Sequence, residues 1–319
     1  MRTSGLNEDA LRREDALPVG DTPPTEDHVM RLLQAGLTYV RRFGRLVKFE
    51  HSVFALPFAY AAAFLVNLEG PGFWRMFWIT VAMVAGRSFG MAVNRLIDAE
   101  IDARNPRTAG REIPAGLLSR AQVWVFAGVA LAVLVLATFN LPVITRYLWP
   151  VVVIPMIVYP YTKRWTWLCH LVLGVADGLG PVGAWVAVSG RVTWQPFVLL
   201  GAVAFWIAGF DIIYAFMDIS VDRSQGLHSI PADWGERAAL WSTRGLHAAA
   251  AVLLAAVGVI QGTGALYFVG VGVCAALLFY ENWIMRKADL KKVGVAFMTV
   301  NGVLSVVFLF FTTVSFFWP

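Results

Sequence analysis

The chain has 319 residues, of which 58% are hydrophobic, and its mean hydropathy is +0.64. Soluble domains are only about 45–50% apolar, so this composition excludes an ordinary soluble globular protein. The formal net charge is +5. Because the basic residues are spread over the loops between apolar segments, the charge indicates membrane topology and argues against nucleic acid as a partner.

Residues 1–40 precede the first apolar segment and differ from the rest of the chain. They are mixed in charge, contain Pro23-Pro24 and have no sustained apolar run, so they do not form a secretory signal peptide. They predict a solvated, partly disordered cytoplasmic tail with a short interfacial helix around 29–42. Residues 41–319 form the predicted transmembrane domain.

Apolar runs of about 20 residues recur after this tail, and each is long enough to cross a bilayer as a helix. The breaks between them fall at proline, glycine and charge clusters such as Gly70-Pro71-Gly72. We therefore predict an all-α polytopic membrane protein with about nine transmembrane helices. The predicted spans are 53–69, 73–97, 121–140, 144–161, 167–188, 196–217, 238–260, 264–283 and 294–318.

The basic residues predict the orientation of these spans. Arginines and lysines are concentrated before the first span and after every even-numbered span, whereas the other side has only Arg75, Arg146 and Arg191. By the positive-inside rule, the N-terminus and the even-numbered exits face the cytoplasm, in a bacterial-type inner membrane. The two cysteines, Cys169 and Cys274, fall inside predicted spans and are interpreted as small core residues without metal or disulfide.

Two aspartate-rich stretches stand at the cytoplasmic ends of spans two and six. The first cluster, in NRLIDAEIDARNPRT, comprises Asn94, Asp98 and Asp102. The second cluster, in DIIYAFMDISVDR, comprises Asp211, Asp218 and Asp222. Helical spacing places the three side chains of each cluster on one face of a helix. Carboxylates next to lipid are costly, so their presence indicates a function.

Two oxygen-rich helix faces on one side of the membrane predict a site for divalent metal, and through the metal for a polyanion. Mg²⁺ favours oxygen ligands and keeps phosphates in its coordination shell, and facing carboxylates need cations to remain ionised. A simpler alternative is that the acids face water or pair with Arg95, Arg104 and Arg223. The occurrence of two clusters, on one side and in register, favours the metal site.

The residues of both clusters carry a family resemblance. The first cluster resembles the first aspartate signature of the UbiA superfamily of intramembrane aromatic prenyltransferases, and Asp218-x-x-x-Asp222 resembles its second signature. Asp211-x-x-Tyr214 and Tyr159-x-x-x-Lys163 are also similar to motifs of that family. The longer strings NRLIDAEIDARNPRTAGREIPAG and GLHSIPADWG resemble the 4-hydroxybenzoate polyprenyltransferase-like branch, which includes members of the futalosine route to menaquinone.

The resemblance implies a UbiA-type helix bundle that uses Mg²⁺ and transfers a polyprenyl group from a polyprenyl diphosphate to an aromatic acceptor. The implied acceptor is 4-hydroxybenzoate or 1,4-dihydroxy-6-naphthoate, in ubiquinone or menaquinone biosynthesis. The implied metal ligands are Asn94, Asp98, Asp102, Asp218 and Asp222. The implied catalytic residues are Asp98, Asp102, Asp218, Asp222, Lys163 and Tyr159. The implied substrate-binding residues are Arg107, Arg164, Asp211, Tyr214, Arg45 and Lys48.

Some positions depart from the pattern or remain open to two interpretations. The first signature often has aspartate after its asparagine, where this chain has Arg95, so one metal ligand fewer is available. Arg45 and Lys48 are equally compatible with positive-inside anchors. Asp177 lies in the middle of span five and is either a functional acid or a neutral, hydrogen-bonded structural group.

The sequence also leaves a second class of function open. A secondary transporter places charged residues in its spans to couple ion movement to transport, and an acidic ion site on the cytoplasmic side would fit that class. The position of the acids at the helix ends favours the prenyltransferase. The glycines of span five (Gly174, Gly178, Gly180 and Gly183) predict close helix packing there.

Overall fold

The computed structural model describes residues 26–48, 52–66, 70–286 and 288–318. The predicted disorder of residues 1–25 and the last residues of the first predicted span, 67–69, lie outside these ranges. The chain divides into two units, residues 1–41 and residues 42–319. The described part of the first unit is helical, and its helix begins at Glu26, earlier than the interfacial helix predicted around 29–42.

The described residues of the chain are folded almost entirely as helices. The α-helices are α1 Glu26–Leu46, α2 Ser52–Val66, α3 Phe73–Ile97, α4 Ala99–Arg104, α5 Arg120–Phe139, α6 Thr145–Thr162, α7 Cys169–Ser189, α8 Gln195–Ala215, α9 Ile219–Gln225, α10 Ile230–Gln261, α11 Ala265–Ile284 and α12 Asn301–Phe317. A 3₁₀ turn, Phe216–Asp218, joins α8 to α9, and a π-helical segment, Val295–Val300, leads into α12. The all-α prediction is confirmed.

Every predicted span overlaps a helix in the described ranges, but seven helical segments there are both long and apolar enough to cross a membrane. The count of nine is therefore not confirmed. The two segments that fall short are α2, with 15 residues, and α6, with 18 residues. Helix α6 contains Arg146 and the three prolines Pro150, Pro155 and Pro160, which lower its hydropathy.

The two aspartate clusters lie at breaks in their helices, which the prediction of one continuous helical face did not include. Helix α3 ends at Ile97, and Asp98 (φ −93°, ψ 2°) separates it from α4. In the second cluster the α-helix stops at Ala215, and Asp218 (φ −115°, ψ 2°) precedes α9. In both places the backbone turns at the middle residue of the cluster and then continues helically. The short helices that follow end at Asn105, which is extended, and at Gly226, which adopts a left-handed conformation.

Two cores support these helices within the second unit. The larger core is formed by α2, α7, α8, α10, α11 and α12, and the smaller core by the end of α1 with α3, α5 and α6. Helix α8 packs against α7 and α10. A β-carbon at Gly174 would lie 2.2 Å from the carbonyl oxygen of Ala204 on α8, so the close packing predicted for this part of span five is confirmed.

Candidate active site

The second unit contains a cavity of about 310 Å³ at the break in each aspartate-bearing helix. Its walls are residues of α3, α4, α6, α7, α8 and α9 and of the loops that follow α4 and α9. The cavity therefore brings together segments that are far apart in the chain. Its charged lining residues are Lys48, Arg87, Arg95, Asp98, Asp102, Arg107, Arg111, Lys163, Asp177, Asp211, Asp218 and Asp222.

Asp98 is held by two cations from the end of α6. Lys163 Nζ donates to Asp98 Oδ2 at 2.7 Å, and Arg164 Nη2 lies 3.3 Å from Asp98 Oδ1. Asn94 Nδ2 donates to the same Oδ2 atom at 3.3 Å, one turn earlier on α3. Arg164 Nη2 also donates to the carbonyl of Ile97, so it fixes the backbone at the helix break. The Y-x-x-x-K motif thus meets the first cluster directly.

Asp102 is neutralised from the loop that follows its own helix. Arg111 Nη1 donates to Asp102 Oδ1 at 2.7 Å and to Oδ2 at 2.8 Å. Arg95 Nη1 lies 4.0 Å from Asp102 Oδ2 and is itself buried, with its Nε donating to the carbonyl of Leu46. Asp102 is thus a buried carboxylate that lies between two arginines.

Asp218 of the second cluster is bound by the loop after the first cluster. Arg107 contacts it through two nitrogens on one edge of its guanidinium, with Nε 3.0 Å from Oδ1 and Nη2 close to Oδ2. Asn105 Nδ2 donates to Asp218 Oδ1 at 2.8 Å, and the Asn105 side-chain oxygen accepts from the Arg107 backbone N–H. A two-point contact of this kind fixes geometry as well as charge. These bonds join the two clusters across the cavity.

The other two acids of the second cluster have different partners. Asp222 Oδ2 accepts from the hydroxyl of Ser229 at 3.0 Å, at the N-terminus of α10. Asp211 Oδ2 lies 2.7 Å from His170 Nδ1. Because the backbone N–H of Ile230 donates to His170 Nε2 at 3.3 Å, the ring proton is on Nδ1 and is donated to Asp211. His170 therefore orients Asp211.

Tyr214 connects the second cluster to the basic residues of the cavity. Arg107 Nη1 donates to its hydroxyl at 2.7 Å, and Lys48 Nζ lies 5.8 Å from the centre of its ring. Burial lowers the pKa of Lys48 from its ordinary value of 10.5. Burial also acts to lower the pKa of Arg107, but its hydrogen bonds to Asp218 and Tyr214 outweigh this and raise it, so Arg107 stays charged.

An apolar cavity of about 180 Å³ adjoins the charged one. Residues of α3, α5, α6 and α7 line it, including Ile79, Leu134 and Val182. Arg87 and Asp177 line both cavities, so they lie where the charged surface meets the apolar one. Among the residues that the structure describes, the buried Arg87 Nε atom has no hydrogen-bond partner. Asp177, in the middle of its span, thus lies at the site.

The comparisons with known proteins agree with this arrangement. The profile of the UbiA prenyltransferase family matches residues 55–318. The chain belongs to this family. It is 31% identical to a 4-hydroxybenzoate octaprenyltransferase of Xanthomonas oryzae pv. oryzae over 279 residues, which cover 84% of this chain and 91% of the relative. A relative of the same name from Cupriavidus necator is 28% identical over 269 residues, which cover 83% of this chain and 94% of the relative.

Solved structures of UbiA homologues have the same fold. The apo structure of a UbiA homologue from Aeropyrum pernix K1 superposes with a TM-score of 0.75 at 34% identity, covering 81% of this chain and 95% of that one. A UbiA homologue from Archaeoglobus fulgidus, bound to GPP and Mg²⁺, gives a TM-score of 0.66 at 19% identity, over 86% of this chain and 99% of that one. This UbiA-family chain is thus an aromatic prenyltransferase and an integral membrane protein, and the transporter alternative is not retained.

The structure gathers most of the predicted site residues of the UbiA chain in the charged cavity. Both clusters and the predicted side chains Lys48, Arg107, Tyr159, Lys163 and Tyr214 line it. Arg164 does not line the cavity, but it contacts the Asp98 carboxylate, which does. Arg45 was predicted to bind substrate, but it is exposed in the last turn of α1 and is not among the lining residues. The interpretation of Arg45 as a surface anchor fits its position better.

Three partners of the aspartates were not singled out from the sequence. Arg111, Asn105 and His170 bind Asp102, Asp218 and Asp211, respectively. Arg111 lies in the string that resembles the family, and Asn105 two residues before Arg107, so both were near a recognisable motif. His170 lies at the start of α7 and is part of no motif that could have been recognised in the sequence.

The oxygen atoms of the lining residues fit a magnesium site chemically. The first and second clusters supply carboxylate and amide oxygens, which are the ligands that Mg²⁺ prefers. Within the described ranges, no three His, Cys, Asp or Glu side chains are close enough together to form a ready-made metal site. Three of the aspartates are instead paired with cations, since Lys163, Arg111 and Arg107 each contact a different one.

Proposed function

We propose that this UbiA-family enzyme transfers a polyprenyl group from a polyprenyl diphosphate to a hydroxyaryl carboxylate, with Mg²⁺, in quinone biosynthesis. The observation that carries the proposal is the convergence of both aspartate clusters on one cavity that adjoins an apolar one. A prenyl diphosphate has the matching shape, with a polyanionic head and a long apolar tail. The names of the relatives support the acceptor class, since they are 4-hydroxybenzoate octaprenyltransferases.

The charge of the cavity supports a metal-bound diphosphate. Six aspartates and six lysines or arginines are among its described lining residues, so in their ordinary charge states they cancel. A diphosphate alone would leave its own negative charge unbalanced in a poorly solvated space. Divalent cations held by Asn94, Asp98, Asp102, Asp218 and Asp222 would balance it. Bound Mg²⁺ would supply Lewis-acid stabilisation of the departing diphosphate.

The basic residues around the two clusters have a defined part in this reaction. Lys163 and Arg107 donate to carboxylates here, and diphosphate oxygens are chemically similar acceptors that they can bind in turn. When the C1–O bond of the prenyl diphosphate breaks, its electron pair goes to the diphosphate oxygen. Preorganised donors next to that oxygen stabilise the developing charge and so lower the barrier.

The aromatic residues of the cavity are proposed to stabilise the prenyl group of the donor after the C1–O bond breaks. Heterolysis leaves an allylic cation at C1, and the ring faces of Tyr159 and Tyr214, both cavity residues, can stabilise such a cation. A ring carbon of the acceptor then supplies the electron pair for the new C–C bond. Loss of the ring proton from that carbon restores aromaticity and completes the transfer.

The apolar cavity is proposed to hold the first part of the prenyl tail. Its walls on α3, α5, α6 and α7 are formed mainly by aliphatic side chains, so they exclude water from the chain. Helices in this region are packed through glycines such as Gly180, which contacts Met83 closely. The cavity could lengthen only by movement of side chains such as Met83 and Met156, which line it and are flexible.

The test uses the purified enzyme in lipid with Mg²⁺ and a polyprenyl diphosphate. The acceptors 4-hydroxybenzoate and 1,4-dihydroxy-6-naphthoate are offered side by side, and products are identified by mass spectrometry. Prenylation of one acceptor, abolished by chelation and in Asp98→Asn and Asp218→Asn, would support the proposal and identify the quinone precursor. Glu100→Gln is the matched control, because Glu100 lies on α4 between two cluster residues but is exposed and pairs only with Arg120.

Two outcomes would contradict the proposal. One is a product that forms equally well in the presence of a strong chelator, which would remove Mg²⁺ from the reaction. The other is the absence of product with both acceptors although the enzyme binds the prenyl diphosphate, which would reject the hydroxyaryl carboxylate. Equal loss of activity in Glu100→Gln would show that the aspartate variants act through the fold.

A further inference from the structure

A third cavity lies away from the active site, between α10 and α11. It encloses about 340 Å³ and is lined by Arg244, His247, Asn282, Trp283, Arg286 and small or apolar side chains. None of these residues lines the charged cavity. The proposed prenyl transfer therefore does not use this site, and its chemistry has to be explained separately.

The two arginines of this cavity are held in the same way. Arg244 stacks on Trp241, with its guanidinium carbon 4.6 Å from the ring centre, and Arg286 stacks on Trp283 at 4.3 Å. Each pair has the sequence Trp-x-x-Arg, once on α10 and once at the end of α11. Three-residue spacing puts both side chains of a pair on one helix face. The stacking restricts both guanidinium groups before any ligand arrives.

Neither arginine is neutralised by the described part of the protein. No carboxylate there lies within ion-pair distance of Arg244 or Arg286, in contrast to the aspartate-paired cations Lys163, Arg107 and Arg111 of the active site. Arg286 donates one hydrogen bond, to the carbonyl of Trp283, and a guanidinium has five N–H donors. Two positive groups on one cavity, with donors left over, are complementary to an anion with several oxygens.

The polar neighbours add rigidity to the site. Asn282 Nδ2 bonds to His247 Nδ1 at 2.9 Å and to the carbonyl of Leu278 at 2.8 Å. The buried imidazole in turn packs against Gly209 of α8, where a β-carbon would lie 2.3 Å from His247 Nε2. The cavity wall is thus tied to the core through α8 and does not depend on a mobile loop.

The surroundings of the cavity indicate that the anion belongs to a lipid. Helices α10 and α11 both qualify as membrane spans, and the outer side of the cavity carries Phe279 and Trp283, which are 72% and 51% exposed. Exposed tryptophans mark the interfacial depth of a membrane. Ala248, Ala251 and Ala275 also line the cavity, and their small apolar side chains suit an acyl chain below a headgroup.

We propose that the cavity between α10 and α11 binds the headgroup phosphate of an anionic membrane phospholipid through Arg244 and Arg286. Basic pockets between transmembrane helices bind such headgroups. The phosphate lies between the two guanidinium groups and its acyl chains follow the alanine-lined wall of the cavity. The site holds the lipid next to α10, whose N-cap residue Ser229 bonds to Asp222 of the active site.

Native mass spectrometry of the detergent-purified full chain tests this site. Phosphatidylglycerol is titrated against phosphatidylcholine with the same acyl chains, and bound lipid is counted. The unmodified enzyme should bind one phosphatidylglycerol more tightly than the rest. Arg244→Gln and Arg286→Gln should each weaken that binding by about tenfold, which corresponds to the loss of one charge-assisted hydrogen bond. Binding of phosphatidylcholine should be the same in all variants.

Arg237→Gln is the matched control, because Arg237 is an exposed arginine on the same helix that does not line the cavity. It should retain the tight phosphatidylglycerol. Equal losses in Arg237→Gln and Arg244→Gln would overturn the proposal, since they would show a general charge effect. Displacement of the lipid by millimolar inorganic phosphate, or equal affinity for the two lipids, would overturn it as well. Arg286→Lys keeps the charge without the planar fork and controls for variants that misfold.

Discussion

The two aspartate clusters resemble each other in sequence, but the protein surrounds them differently. Asp98 and Asp102 are only 3% and 4% exposed, and each is held by cations from outside its own helix turn. Asp218 has a side chain 16% exposed, and within the described residues Asp222 is held by the hydroxyl of Ser229. The first cluster therefore belongs to the ion-pair framework of the bundle, whereas the second is more available to a ligand.

Both clusters share one backbone arrangement in spite of this difference. Asp98 and Asp218 each stand between two helical segments with ψ close to 0°. A break at this point turns the following acid toward the cavity while leaving the preceding helix in the membrane. The difference in burial must therefore come from the partners, because Lys163 and Arg164 arrive from α6 only at the first cluster.

The largest effect is expected on turnover, and it should not distinguish the clusters. Asp98→Ala and Asp218→Ala should each reduce the rate of prenyl transfer by about 10²–10³-fold, which is typical of the loss of one preorganised electrostatic group. Initial rates at saturating donor and acceptor measure this. A variant of either residue with near-normal turnover would show that the two clusters do not act on the same diphosphate.

The free energy of unfolding should distinguish the two clusters, although the rate of turnover does not. Asp98→Ala removes the shared partner of Lys163 and Arg164, whose side chains are each 28% exposed, so the loss of two partly solvated pairs should cost about 1–2 kcal/mol. Asp218→Ala leaves Arg107, whose side chain is 29% exposed and accessible to water, so the cost should stay below about 1 kcal/mol. Unfolding of both variants in the same detergent, followed by intrinsic tryptophan fluorescence, provides the comparison.

The double variant Asp98→Ala, Lys163→Ala is the control for this interpretation. Removing both partners of the pair leaves no unpaired charge from that pair, so part of the lost stability should return. Similar losses in Asp98→Ala and Asp218→Ala would contradict the division into a framework cluster and a ligand cluster.

The fold could be predicted from the sequence because hydropathy acts over whole helices. Runs of about 20 apolar residues located the helices, and most of their ends fell within a few residues of the observed ones. The exceptions are local. Helix α10 begins at Ile230, before the predicted span, because it continues through a kink at Gly235 (φ 83°). The 3₁₀ turn at Phe216–Asp218 follows from tertiary contacts that periodicity does not encode.

The candidate site could be predicted only in part. Motif spacing identified the aspartates, Lys163, Arg107 and Tyr214, since their chemistry and their helical phase are both visible in the chain. Partners that meet through the fold were not visible. His170 reaches Asp211 across two helices, and Asn105 reaches Asp218 over 113 positions. Arg45 is exposed and does not line the cavity, so its role in substrate binding stays a prediction.

A smaller effect is expected at Tyr214, which positions the cation of the second cluster. Tyr214→Phe removes the hydrogen bond from Arg107 but keeps the ring. The Michaelis constant for the prenyl diphosphate should rise by about three- to tenfold, since one charge-assisted hydrogen bond is lost, while kcat changes little. Tyr280→Phe, on a ring outside the cavity, is the control. A large fall in kcat with an unchanged Michaelis constant would assign the hydroxyl to the chemical step.

The smallest effect should appear in the pH dependence of donor binding, through Lys48 beside the second cluster. Burial is the first cause of its lowered pKa, and Arg95, Arg111 and Arg107 add to it while Tyr214 opposes them. Folding therefore disfavours the charged form, and this penalty to stability disappears as pH rises through the lowered pKa toward 10.5. The affinity for the diphosphate falls over the same pH range, because the neutral amine of Lys48 no longer attracts the anion.

The affinity for the prenyl diphosphate should accordingly fall as pH rises toward 10.5, the ordinary lysine pKa, by about threefold for the loss of one partly solvated charge. Lys48→Arg keeps its charge over this range, so the decline should move to higher pH, and Lys291→Arg, at an exposed lysine, should leave it unchanged. An identical decline in the unmodified enzyme and in Lys48→Arg would mean that another group of the cavity titrates, and would remove Lys48 from the donor site.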